Sequence, residues 1–152
     1  MIYSRFSTTE ILLFLKEVPM LAELDVETLE ILAMGCHVKR VKRGHVVFRR
    51  GDSSKAVYLV QSGSIAEFAG GPNELEMVVK ERHKGDYFGE MGILDNNLRS
   101  ATAHVIEDVQ LLSISRVQFQ NIIQQHPEVA VSMLTRMNSI VRTLNKKLAL
   151  ST

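Results

Sequence analysis

The sequence predicts a mainly β fold with flanking helices (α+β), an antiparallel β-roll or jelly roll held between short N-terminal helices and a long C-terminal helix. Three observations predict it. Residues 37–113 carry short runs rich in Val, Tyr, Ile and Phe, broken by Gly44, Gly51, Gly63, Gly70-Gly71-Pro72-Asn73 and Gly85, which is the texture of strands and turns. Residues 7–35 and 115–150 instead place apolar residues at helical intervals behind capping residues. At 152 residues the chain has room for a real core, and 1–152 is read as a single domain.

Ser7-Thr8-Thr9-Glu10 has capping-box spacing, and Ile11, Leu12 and Leu15 follow on one face, so a short helix is expected to end before Pro19. Asp25 caps a second, whose stripe is Leu29, Leu32 and Ala33 and whose stop is Gly35. Four runs centred on Val46-Val47-Phe48, Val57-Tyr58-Leu59-Val60, Ile65-Ala66-Glu67-Phe68 and Met77-Val78-Val79 read as strands of a small roll, with the glycines at its corners. Ser115 and Gln118 repeat the capping-box spacing before a helix that ends near His126. Pro127 suits a first helical position, and no Gly or further Pro occurs up to Leu150, which allows roughly 35 Å of helix. Leu134, Met137, Val141, Leu144 and Leu148 alternate spacings of three and four along it. That stripe either packs on the chain's own roll or forms the seam of a parallel homodimer, and the dimer is the expectation here.

Composition narrows the functions. Lys and Arg total 18 against 17 Asp and Glu, a formal charge of +1, so no general field draws in nucleic acid or an anionic membrane and any anion recognition is local. The apolar run Ile11 to Leu15 is cut off by Lys16 and Glu17, too short for a signal peptide or a membrane span, so a cytoplasmic protein is expected. Cys36 is the single cysteine, which excludes an intrachain disulfide and a multi-cysteine zinc site and reads as a structural thiol.

The densest chemical signal is Gly85-Asp86-Tyr87-Phe88-Gly89-Glu90-Met91-Gly92-Ile93-Leu94, with Arg99-Ser100-Ala101 following after eight residues between Glu90 and Arg99. This run resembles the phosphate-binding cassette of the cyclic-nucleotide-binding domain family, with FGE, a small apolar turn and then R-[AST]-A. Gly44, Gly51 and Gly63, in KRGHVVFRRGD and VYLVQSGSI, fit the same pattern, and the resemblance covers nearly the whole chain. It implies a regulatory sensor rather than an enzyme, with a cyclic nucleotide as ligand and Phe88, Gly89, Glu90, Met91, Arg99, Ser100 and Ala101 as its binding residues.

The chemistry of those residues suits such a ligand. Arg99 offers a planar fork of donors to one phosphate, strongest where partly desolvated. Gly89 lets the backbone approach closely, and amides opening the turn Glu90 to Leu94 suit phosphate oxygens. Glu90 accepts from a ribose 2′-hydroxyl, its role by resemblance. Ser100 donates to a phosphate oxygen and Ala101 keeps the wall small, whereas Thr102 reads as a strand residue. R-S-A resembles bacterial cAMP regulators, so cAMP is favoured over cGMP, although a serine hydroxyl also accepts from a guanine amino group. Val60, Ile65, Val78 and Ile93 are candidates to touch ribose or base, but alternating apolar strand residues are first of all core.

The sequence also departs from the family. Kinase-type members cap the base with an aromatic residue from a later helix, and none follows Phe119 here. Bacterial regulators of the family bring polar groups to adenine near Leu144 and Asn145, from the same chain or from the partner subunit, and Asn145 alone of the two can hydrogen-bond, so Asn145 is carried as a further base contact. No helix-turn-helix segment follows the long helix, and direct DNA binding is not expected. Two rival readings are a roll kept only as a docking or dimerisation module, against which Glu90 and Arg99 stand, and a cupin-like metalloenzyme. His37, His45, His83, His104 and His126 lack an HxH pair or a ligand rhythm, so no metal is expected.

Overall fold

A computed structural model describes residues 8–69 and 77–150. Ser7 of the first capping box and the expected turn Gly70-Gly71-Pro72-Asn73 lie outside the described residues, as does the side chain of Val78. Helix α1 (Thr8–Glu17) leads through a 3-10 turn (Pro19–Leu21) into α2 (Val26–Gly35). The Asp25 carboxylate accepts from the Thr28 amide at 2.8 Å and so fixes where α2 starts.

The strands are β1 (His37–Val41), β2 (Val46–Phe48), β3 (Ala56–Ala69), β4 (Met77–Arg82), β5 (Tyr87–Phe88) and β6 (Thr102–Ser115), with a short helix α3 (Met91–Leu94) between the last two. All pairings are antiparallel in the order β1-β6-β3-β4, with β2 also on β6 and β5 also on β3. The runs Val57–Val60 and Ile65–Phe68, expected as separate strands, are one strand of 14 residues. Gly63, expected at a corner, sits inside β3 at φ +79, where the register against β6 shifts. The reason is a close approach, because a Cβ there would stand 2.1 Å from the Asp108 carbonyl oxygen. The glycine lets β3 bulge and bend instead of turning back.

Both faces of β3 are buried, and they feed two cores. Val57 and Leu59 join Leu112 and Ile114 under the helices, with Leu15, Leu21, Leu32 and Phe119. Tyr58, Val60 and Ile65 face the roll interior with Phe48, Phe88, Val105 and Leu111. Full burial of one such side chain contributes about 1.5–3 kcal/mol, so this two-sided strand is the backbone of the molecule's stability.

At the C-terminal end, Ser115 accepts from the Gln118 amide at 3.2 Å and starts α4 (Arg116–Gln125), and α5 runs from Pro127 to Leu150. The buried residues of α5 are Val129 and Met133. Leu134, Met137, Val141, Leu144 and Leu148 are each at least 38 % exposed, so the stripe is not spent on the chain's own roll. Among the described residues, no helix is long and apolar enough to cross a membrane. Among them also, no group of three or more His, Cys, Asp or Glu side chains stands together.

Candidate functional site

Arg99 is where the cassette and the roll meet. Its backbone is clamped to the turn between β2 and β3, donating to the Asp52 carbonyl at 2.8 Å and accepting from the Gly51 amide at 2.9 Å. The side chain is 5 % exposed and lies across the Phe48 ring, with Cζ 4.1 Å from the centroid. Phe48, Tyr58 and Phe88 stack on one another beneath it, a cation–π floor for the guanidinium.

The guanidinium donates to the Gly89 carbonyl at 2.5 Å and to the Ala56 carbonyl at 2.7 Å. Its Nε is the one buried side-chain nitrogen or oxygen without a hydrogen-bond partner among the described residues. An unsatisfied buried donor costs about 1–3 kcal/mol, more where the group is charged, unless something arrives to accept from it. Burial pushes the Arg99 guanidinium below its ordinary value, with Tyr58 and then Glu90 acting the other way.

The other side of the site is the turn after β5. Gly89 adopts φ +82, and a Cβ there would come within 2.7 Å of Arg99 Nη1. Glu90 opens α3, whose Ile93 and Leu94 amides return to the Glu90 carbonyl. The Glu90 side chain is buried, and burial pushes its carboxyl above its ordinary value, only partly offset by its own amide and by Arg82 and Arg99.

These elements border a small, half-open cleft. Gly89, Glu90, Met91, Arg99, Ser100 and Ala101 line it, so six of the residues expected from the sequence come together. Phe88 does not line it and is fully buried in the roll core. Asn145 lies on the exposed distal part of α5 and does not line the cleft of its own chain. Ile65, Ile93 and Val60 are core side chains, and Thr102 is a strand residue whose hydroxyl accepts from the Arg50 amide at 3.0 Å.

The cleft also takes in Phe48, Gly92, Glu67 and Arg82, which sequence reasoning did not single out as site residues. Arg82 Nε donates to Glu67 Oε1 at 2.6 Å. A signal existed in the sequence, because Glu67 follows Ile65 at strand spacing and so puts a charge on an inward face. Arg116, at the start of α4, was also missed. It donates to the Asn96 side chain just after α3 and reaches the Ser54 carbonyl, tying the cassette to the start of α4. From α5, the Arg136 guanidinium lies 5.9 Å from the Tyr87 ring centroid, two residues ahead of Gly89.

Comparison with known proteins agrees with this geometry. The sequence profile of the cyclic nucleotide-binding domain matches residues 38–126. Lysophospholipase nte1 of Aspergillus niger is 32% identical over 108 residues, covering 68% of this chain and 7% of that protein. The cAMP-dependent protein kinase regulatory subunit of Emericella nidulans is 31% identical over 110 residues, covering 72% of this chain and 26% of that protein. The chain thus spans a small part of these curated relatives, and the lysophospholipase match concerns a fraction of the enzyme. Among solved structures, the Thermus thermophilus catabolite activator protein superposes with a TM-score of 0.76 at 29% identity, over 87% of this chain and 62% of that one. With a profile match over more than half its length and the cassette folded around a cleft, the chain belongs to the cyclic nucleotide-binding domain family, as a regulatory rather than a catalytic domain.

Proposed function

We propose that this domain captures a cyclic nucleotide monophosphate in the cleft between Arg99 and Glu90 and relays its presence through α4 and α5. The observation that carries the reading is the buried Arg99 guanidinium with an unpartnered Nε at the cleft wall. A phosphate there supplies the missing acceptor and a counter-charge in one step. Glu90 is placed to accept from a ribose hydroxyl, and Ser100 beside Arg99 offers a hydroxyl to the phosphate. The run Arg99-Ser100-Ala101 and the name of the Emericella relative support cAMP as a ligand. The Ser100 hydroxyl serves the phosphate of either purine nucleotide, so base choice rests on the other end of the cleft.

The relay has two physical links, Arg116 on the Asn96 side chain and Arg136 over Tyr87. A ligand that draws the cassette inward changes both, and couplings of this kind amount to about 1–3 kcal/mol. The exposed stripe on α5 supports a parallel homodimer through that helix.

The test is calorimetric titration of nucleotide-free protein with cAMP and with cGMP, alongside Arg99→Ala. Saturable binding that the variant loses while still folded sustains the reading. Absence of heat with both nucleotides sinks it and points to the roll as a docking module.

A further inference from the structure

The Glu67–Arg82 ion pair is not explained by the stability of the roll. Glu67 on β3 and Arg82 on β4 are 14 % and 19 % exposed at their side chains and stand on the inner wall of the cleft, diagonal neighbours across the β3–β4 pairing. Ile65, directly opposite Arg82, is fully buried, so the pair occupies wall that apolar residues fill elsewhere in the roll. A half-buried ion pair is weak support for a fold, and well-packed apolar residues of like volume serve as well or better.

The contact between the two is single, from Arg82 Nε to Glu67 Oε1. Among the described residues, the two Nη groups of Arg82 and the second oxygen of Glu67 make no further hydrogen bond, although Arg82 also acts electrostatically on Glu90. Those groups form a neighbouring donor fork and acceptor. Arg99 and Ser100 also line the cleft and suit a phosphate, and Glu90 suits a ribose, so the base is the part of the ligand left without a hydrogen-bonding partner.

We infer that Glu67 and Arg82 read the edge of the base and tilt the site towards guanine. Guanine presents O6 and N7 as a pair of acceptors matched to a guanidinium fork, and N1–H and N2–H as donors to the remaining Glu67 oxygen. Adenine offers its 6-amino group to the carboxylate but no matching acceptor pair to the fork, leaving charged donors desolvated and unpaired. One good bidentate contact discriminates by roughly five- to a hundredfold. This inference deepens the cyclic-nucleotide reading and rests on it, and it reverses the preference for cAMP drawn from Ser100.

The experiment compares the Kd for cGMP and for cAMP in the intact chain and in the double variant Glu67→Val/Arg82→Leu, with thermal melts to verify folding. Removing both charges together avoids stranding one of them, so the double variant is expected to fold. The expected result is at least about tenfold tighter binding of cGMP than cAMP by the intact chain, with the ratio collapsing to within about threefold in the double variant. Equal affinities in the intact chain, a preference for cAMP, or a ratio that the double variant leaves unchanged overturns the inference while leaving the sensor reading in place. Failure of the intact chain to bind either nucleotide overturns both.

Discussion

Arg99 and Gly89 hold each other, the guanidinium donating to the Gly89 carbonyl at 2.5 Å while the glycine lacks the Cβ that would stand 2.7 Å from the same nitrogen. The cation that lines the cleft is therefore also what pins the cassette turn. Arg99→Ala is expected to lower nucleotide affinity at least about a hundredfold, since hydrogen bonds to charged groups contribute about 1.5–3 kcal/mol each. Arg99→Lys keeps the charge without the fork and is expected to fall between the two. Calorimetric Kd values for the three proteins check the order.

Glu90 gives a pH signature. Burial raises its carboxyl in the folded protein, so the ionised form opposes folding. That opposition is absent below its unfolded value and grows as pH rises from there through the raised folded value. Glu90→Gln removes it, and the variant is expected to melt higher than the parent at neutral pH without ligand. The gap should narrow as pH falls through the raised value. Melting curves of both proteins between about pH 4 and pH 7.5 bracket the window, since unperturbed Glu titrates at about 4.3. A gap independent of pH would count against a buried, ionised Glu90.

Gly63→Ala tests the bulge in β3. The new methyl meets the Asp108 backbone and the residue must hold φ +79, so β3 and β6 have to move apart. A loss of about 2–4 kcal/mol is expected, read as a melting temperature lower by about 5–15 °C.

Cys36 is expected to be inert. Its thiol is half-buried and burial pushes its pKa up to about 12. Against an ordinary thiol this cuts the thiolate at pH 8 by roughly a thousandfold. Labelling by a disulfide reagent should be at least about a hundredfold slower in the folded protein than in urea. Equal rates would show the site to be open.

The α5 stripe makes a prediction about assembly. Leu144 is 52 % exposed within the seam, and Leu144→Glu places like charges across a parallel pair of helices. If α5 is the dimer contact, sedimentation should show the parent as a dimer and the variant as a monomer with its roll intact. A monomeric parent at the highest soluble concentration would remove the homodimer.

Much of this protein was legible residue by residue because the signals are local. Asp25 and Ser115 cap the helices that follow them, since a cap needs an acceptor only three residues from its amide. The cassette is legible for the same reason: Gly89, Glu90, Met91, Arg99, Ser100 and Ala101 lie within one short stretch of chain and line one cleft. Tertiary structure alone decided what depends on register between distant strands. Whether Gly63 turns the chain or bends it is set by Asp108 on β6, and that the ring of the motif residue Phe88 stacks in the roll core is seen only in the folded chain. Arg82 meets Glu67 only because the β3–β4 pairing places Ile65 opposite Arg82. Asn145 does not line the cleft of its own chain because α5 is exposed from Met137 onward. The sequence by itself determined the family and the groups that suit a phosphate and a ribose, because their spacing along the chain is their spacing in space. The Glu67–Arg82 pair, the contact of Arg116 with the Asn96 side chain and the exposed face of α5 were decided by packing between segments the chain brings together only when it folds.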